Sequence, residues 1–290
     1  MYTKYWELQV KPFELGCDPR FFYRAQEHQS LLSKLRYTIE NRHGSALLCG
    51  DSGTGKSMIT AMLRQGTTGD LGPFATLAMP QLGADEILCW LATEFEFRSK
   101  SGARSFGELI DRYILQRPQT ERIPLLHYAF SSLEHFLTRN SQEHRHAVLV
   151  IDDAQQISDP AVYPLLKSLL SLNLEGRPVL SILMLANTKA RAGEPQTSFV
   201  EDCMETVTEL VPFDAGDTVA YVRARLAEAG ATRDIFTSAG LDAIHFLTEG
   251  NPRKINRLCD LALLVGFVEG LTQIDEPVIE ALNQELIAIA

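Results

Sequence analysis

The sequence predicts an α/β fold, a parallel sheet layered between helices, followed by a small all-helical region. Three observations predict it. Short apolar runs at 46–49, 74–78, 147–151 and 180–185, with a weaker one at 207–211, alternate with stretches of helical periodicity. Such runs suit strands covered on both faces, and their alternation with helices is the pattern of a parallel sheet. A glycine-rich segment, 50–57, follows the first run directly, and from Asp214 onward only helical spacing is found.

Taken in order, residues 1–43 form an aromatic lead-in (Tyr2, Tyr5, Trp6, Phe13, Phe21, Phe22, Tyr23) and then a helix around Leu31, Leu32, Leu35 and Ile39. Within the alternating zone, Leu126, Phe130, Leu133 and Leu137 share one helical face. Asp159-Pro160 reads as a cap with proline at the first helical position, so a helix is expected there. In the last zone Val219, Val222 and Leu226 lie at helical spacing. Asn251-Pro252 caps a helix carrying Ile255, Leu258, Cys259, Ala262 and Val265, and Val278, Ile279, Leu282 and Leu286 stripe the final one. The expected domains are therefore 1–213, an α/β core with its lead-in, and 214–290, a helical lid.

The net charge of −10 argues against a protein that coats nucleic acid by bulk electrostatics. Five scattered cysteines form no CxxC pair, which suits reduced thiols and a cytoplasmic chain. The first ten residues hold no apolar stretch, and the longest apolar run, 261–268, is too short to span a bilayer. Attachment to the inner membrane would have to come through a partner.

Gly50-Asp51-Ser52-Gly53-Thr54-Gly55-Lys56-Ser57 fits the pattern GxxxxGK[ST] at each fixed position, with an apolar strand before it and a helix after it. Glycines let the backbone curl around an anion and turn its N–H groups inward, and the helix N-terminus adds positive potential. Lys56 would reach the β- and γ-phosphates of ATP, and the Ser57 hydroxyl would ligate Mg²⁺. An apolar strand then runs straight into Asp152-Asp153. Asp152 would hold Mg²⁺ through water, while Asp153 would orient the attacking water. The bland alternative is a solvated acidic pair at a strand end, which a complete phosphate loop upstream disfavours.

Two further positions follow from the same logic. Ala186-Asn187-Thr188 ends the 180–185 run, and Asn187, preferred over Thr188, would sense the γ-phosphate; the alternative is a turn asparagine. Gly250-Asn251-Pro252-Arg253 opens the lid helix, and Arg253 would reach back to the γ-phosphate. Arg253, Asn256, Arg257 and Asp260 make one polar stripe opposite the apolar one, and for Arg257 a solvated face is the favoured reading. His144 and His146 have no accompanying cysteine or carboxylate cluster and point to no metal site.

The chain resembles the AAA+ ATPases of the general secretory pathway protein A type over nearly its whole length. The residues that carry the resemblance are Tyr5-Trp6, Lys11-Pro12-Phe13, Asp18-Pro19-Arg20-Phe21-Phe22-Tyr23, the phosphate loop, Ile151-Asp152-Asp153-Ala154-Gln155, the segment from Gly250 to Asn256, and Leu258-Cys259-Asp260. The resemblance implies a five-stranded parallel core with a helical lid, adenine held between them, and a homo-oligomer that assembles with nucleotide and acts on a protein partner. It also leaves open a relation to transposition regulators, in which ATP gates a DNA-binding scaffold. Arg98, Lys100, Arg104, Arg112, Arg117 and Arg122, in an apparent insertion, would serve that second reading, against the net charge. Two features depart from the family pattern. Asp153 stands where Glu is common, which predicts slow hydrolysis. Cys203-Met204-Glu205-Thr206-Val207 lacks the usual arginine, leaving Arg191 as a displaced candidate. Family members of the secretion type continue into a membrane segment and a peptidoglycan-binding domain, which the resemblance would lead one to expect beyond the residues up to Ala290.

Overall fold

The computed structural model describes residues 2–66, 71–99, 119–187 and 196–289. Their order is α1 (Tyr2–Tyr5), α2 (Gln26–Glu40), β1 (Ser45–Gly50), α3 (Lys56–Gly66), β2 (Leu71–Leu77), α4 (Ala84–Ser99), α5 (Gln119–Gln142), β3 (His146–Ile151), α6 (Val162–Leu170), β4 (Asn173–Leu174), β5 (Arg177–Pro178), β6 (Leu180–Ala186), α7 (Gln196–Cys203), β7 (Thr206–Leu210), α8 (Ala215–Glu228), α9 (Ser238–Thr248), α10 (Pro252–Glu269) and α11 (Glu276–Ile289). Each apolar run read as a strand is one. The chain packs as two units: Met1–Ser30, Gly50–Met62 and Leu210–Ala290 make the first, and Leu31–Cys49 and Leu63–Glu209 make the second.

The second unit holds the sheet, whose strands lie in the order β2-β3-β6-β1-β7. The pairs β2–β3, β3–β6 and β1–β6 are parallel. Every residue of β1 and β3 is buried, as strands between two helical layers must be. Leu88, Leu91 and Phe95 of α4, Leu133 and Leu137 of α5, and Leu166 and Leu169 of α6 join the sheet residues in one core. The register places Ile151 opposite Met184 and Cys49 opposite Ala186, so β1, β3 and β6 finish at one edge of the sheet. Residues after those strand ends, Asp152 and Asn187 among them, therefore gather there. That edge is where open α/β sheets carry their chemistry.

One local expectation is corrected, and one element had no sequence signal. The helix expected at Asp159-Pro160 begins at Val162 instead. Asp159 is diverted from capping it: its carboxylate accepts from the N–H groups of Ala84 (2.9 Å) and Ala161 (2.9 Å), and these bonds hold its pKa below the usual carboxylate value. A small antiparallel hairpin, β4–β5, turns at Glu175-Gly176, a feature too short to show periodicity.

In the first unit the lead-in aromatics pack with the C-terminal helices. Trp6 is fully buried and its indole N–H donates to Leu263 O (2.8 Å). The Tyr2 hydroxyl donates to Asp260 and that of Tyr5 to Leu271 O (2.8 Å). Arg225, 4% exposed, donates through Nε to Pro12 O (2.5 Å) and through Nη1 to the Tyr221 hydroxyl (2.7 Å), and lies over the Phe21 ring. The Tyr221 hydroxyl donates on to Asn256 Oδ1 (2.8 Å). Asn256 and Asp260, two residues of the polar stripe, are thus anchors for the lead-in and α8. No helix among the described residues is long and apolar enough to cross a membrane.

Candidate nucleotide site

The phosphate loop sits in the first unit and is shaped by its own backbone. Gly53 has φ +89°, a region that residues with a Cβ avoid. A Cβ there would also lie 2.6 Å from Asn251 Oδ1 and 2.7 Å from Arg253 Cβ. Glycine is required by the approach of the lid helix as well as by the turn. Thr54, fully buried, closes the loop by donating from Oγ1 to Asp51 O (2.8 Å). Lys56 Nζ donates to Gly50 O (2.6 Å) and Asp51 O (3.1 Å), which curls its ammonium back over the loop from the first residue of α3. Ser57 is exposed in the first turn of α3, where backbone N–H groups have no partner within the helix.

The lid helix α10 grips this loop. Asn251 caps it, accepting at Oδ1 from the N–H groups of Arg253 (3.1 Å) and Lys254 (3.3 Å), with Pro252 in the first turn. The amide of the same side chain donates to Ser52 O (2.9 Å). Arg253 N–H donates to Gly53 O (3.2 Å), and its guanidinium donates to Ser52 Oγ (3.0 Å). Arg253, predicted as a γ-phosphate sensor, is therefore on the loop already. Asn251 was legible as a cap; its second role, as the bridge to Ser52, was not. Arg257 is exposed on the same helix.

His28 was missed altogether. It is 6% exposed, its ring centre lies 4.9 Å from that of Phe213 in a tilted arrangement, and it faces the Thr54 backbone. Burial lowers its pKa, opposed by the charge of Asp217 and by the Thr54 backbone. A lone histidine in a helical stretch carries no signal of this, since only the fold brings it beside the loop residue Thr54.

The acidic strand end lies in the second unit. Asp152 follows β3, and its N–H donates to Leu77 O (3.0 Å). Asp153 is exposed and left-handed (φ +48°, ψ +44°), with its N–H donating to Asp152 Oδ1 (2.9 Å). Gln155 Nε2 donates to Asp153 Oδ1 (3.0 Å), and Gln155 Oε1 accepts from Asn187 N–H (3.1 Å). Asp153 and Asn187 are thus joined through one carboxamide. His146, expected to be no metal ligand, is buried and bonds through Nε2 to Ser181 Oγ (2.8 Å). Burial, aided by Arg42, pushes its pKa down to about 4. Thr188, Arg191 and residues 100–118 with their basic side chains lie outside the described residues, as do the side chains of Arg98, Arg122 and Leu286.

A glycine-shaped loop between a buried strand and a helix N-terminus, with an acidic pair ending another strand of the sheet, defines a P-loop nucleotide-binding protein. A family model described as AAA ATPase domain matches residues 20–182, more than half the chain, and the chain belongs to that family. It is 26% identical over 274 residues to General secretion pathway protein A of Aeromonas hydrophila, a match covering 93% of this chain and 46% of that relative. The chain thus spans less than half the length of that protein. Among solved structures, Cdc6p from Pyrobaculum aerophilum (15% identity, TM-score 0.63) aligns over 91% of this chain and 67% of its own. ORC2 of Aeropyrum pernix, solved in ADPNP–ADP complexes (14% identity, TM-score 0.62), aligns over 96% and 72%. These two likenesses confirm the α/β fold with its helical C-terminal part.

Proposed function

We propose that this chain binds Mg·ATP, hydrolyses it slowly and uses the cycle to control its assembly with itself and with a protein partner. The observation that carries the reading is the grip of α10 on the phosphate loop through Asn251 and Arg253. A lid that holds the loop by hydrogen bonds at Ser52 and Gly53 changes those bonds when phosphate occupies the loop. Nucleotide state is thereby turned into lid position.

The residues fit the ligand. The loop supplies a left-handed glycine, a helix N-terminus and a lysine, the donor set for a polyphosphate. Lys56 would exchange its two carbonyl partners for phosphate oxygens. Ser57 and Asp152 would hold Mg²⁺, which when bound neutralises charge on the phosphates. Asp153 would orient water, while Asn187 and Arg253 would sense the γ-phosphate. The domains would be 1–213 and 214–290, and a cytoplasmic chain would reach the inner membrane through its partner.

Lys56→Ala tests the reading. Its ATP affinity should fall on the order of a hundredfold, about 2.7 kcal/mol, by titration calorimetry. Unchanged affinity and turnover would overturn it.

A further inference from the structure

Asp153 has a short side chain at an exposed position, and a freely rotating carboxylate there would orient water poorly. Its backbone is already turned into the left-handed region, and its own side chain makes no capping bond to the short turn that follows. What restrains the carboxylate is Gln155, two residues on, whose amide nitrogen donates to Asp153 Oδ1 (3.0 Å). That contact alone would be ordinary turn chemistry. The other end of the same carboxamide accepts from the N–H of Asn187, 32 residues later, where β6 has ended (3.1 Å). A glutamine that only closed a local turn would have no reason to engage the end of another strand. With both ends engaged, its rotamer is set, and it sets that of Asp153 in turn.

We propose that Gln155 is a positioning residue that couples the Asp153 carboxylate to the end of β6, so that the water-orienting and γ-phosphate-sensing groups move as one. The inference rests on Asp153 orienting water, as proposed above. It explains how an aspartate serves where a longer acid is usual. The carboxylate is held from the side by a neighbouring amide, and reach is replaced by restraint.

The first readout needs no nucleotide. In Gln155→Leu the amide proton of Asn187 should exchange with solvent at least about tenfold faster, because its acceptor is gone. In Gln155→Glu the acceptor remains, so Asn187 should stay protected. Turnover should separate the two effects. Both variants lose the donor to Asp153, so kcat should fall about tenfold in each, with KM for ATP within about twofold. A merely structural glutamine would lower stability and move kcat and KM together, or would give the same Asn187 exchange in both variants; either result overturns the proposal. Asp153→Asn distinguishes the two layers. If Asp153→Asn keeps full turnover, the assignment of Asp153 fails. If it loses turnover while Gln155→Leu matches the parent chain in kcat and Asn187 exchange, the bridge alone fails.

Discussion

The phosphate loop and the acidic strand end are both pieces of one expected site, yet they are built on opposite principles. The loop is over-determined. Gly53 takes a backbone shape that other residues avoid, Thr54 is buried, and Asn251 and Arg253 hold the loop from the lid. The acidic end is held by few contacts: Asp153 is exposed, and its carboxylate is restrained by a single neighbouring amide. Polyphosphate binding needs many fixed donors at once, whereas water activation needs one carboxylate in one place. A chain can therefore keep the first function robustly while the second is tuned by a single side chain.

Acid should have the largest effect, and most of it should come from the second unit. His146 opens β3, the strand that leads into Asp152, and its folded pKa is about 4 against an ordinary value of 6.5. The folded state keeps the ring neutral while the unfolded chain takes up a proton. Stability is unaffected above pH 6.5, falls as pH drops from there to 4, and is fully reduced below. Integrated over that window the loss is on the order of 3 kcal/mol. His28, in the first unit, shifts in the same direction. His146→Gln should flatten most of this dependence in denaturant titrations at pH 7, 5.5 and 4.5. An unchanged slope would show that the strand end is not the acid-sensitive part.

The over-determined half can be broken by one methyl group. Gly53→Ala adds about 1–2 kcal/mol of left-handed strain and drives a Cβ into Asn251 and Arg253. Gly176→Ala is the matched control: φ is +78° in the β4–β5 turn and nothing lies within 4 Å of the added carbon. The control should cost about 1 kcal/mol of stability and leave ATP affinity untouched. Gly53→Ala should cost about 2 kcal/mol and weaken ATP binding about tenfold, because the lid loses its grip. Equal effects at the two glycines would mean that the lid contacts contribute nothing.

The same contrast governs what the sequence could reveal. The loop, the strands and the α10 cap are local patterns, in which glycine, lysine, a buried run or Asn-Pro each has a physical reason at its own position. Trp6, Arg225 and His28 carry no such local sign. Their partners, Leu263, Pro12 and Phe213, lie far along the chain, and only packing brings them together. For Asn256 and Asp260, helical spacing shows a shared polar face but not what covers it. The Asp159 helix start misled because a capping carboxylate can be captured by another element, here Ala84. Gln155 was visible as part of a family segment, yet its two hydrogen bonds depend on where β6 ends.

The smallest effect is the most informative about the weaker half. By length alone, Asp153→Glu should speed turnover, since it restores the reach of the longer acid. The structure argues the other way. Asp is among the few residues that enter the left-handed region readily, and glutamate there costs up to about 1 kcal/mol more. The added methylene would also carry the carboxylate past Gln155 Nε2, which now holds it at 3.0 Å. Turnover by Asp153→Glu should therefore stay level or fall by up to about fivefold, with ATP affinity unchanged, in steady-state assays at saturating ATP. A gain of about tenfold or more would mean that reach outweighs restraint and that slow hydrolysis follows from the missing methylene. A level or lower rate would mean that the strand end is shaped around aspartate, with its restraint supplied by Gln155.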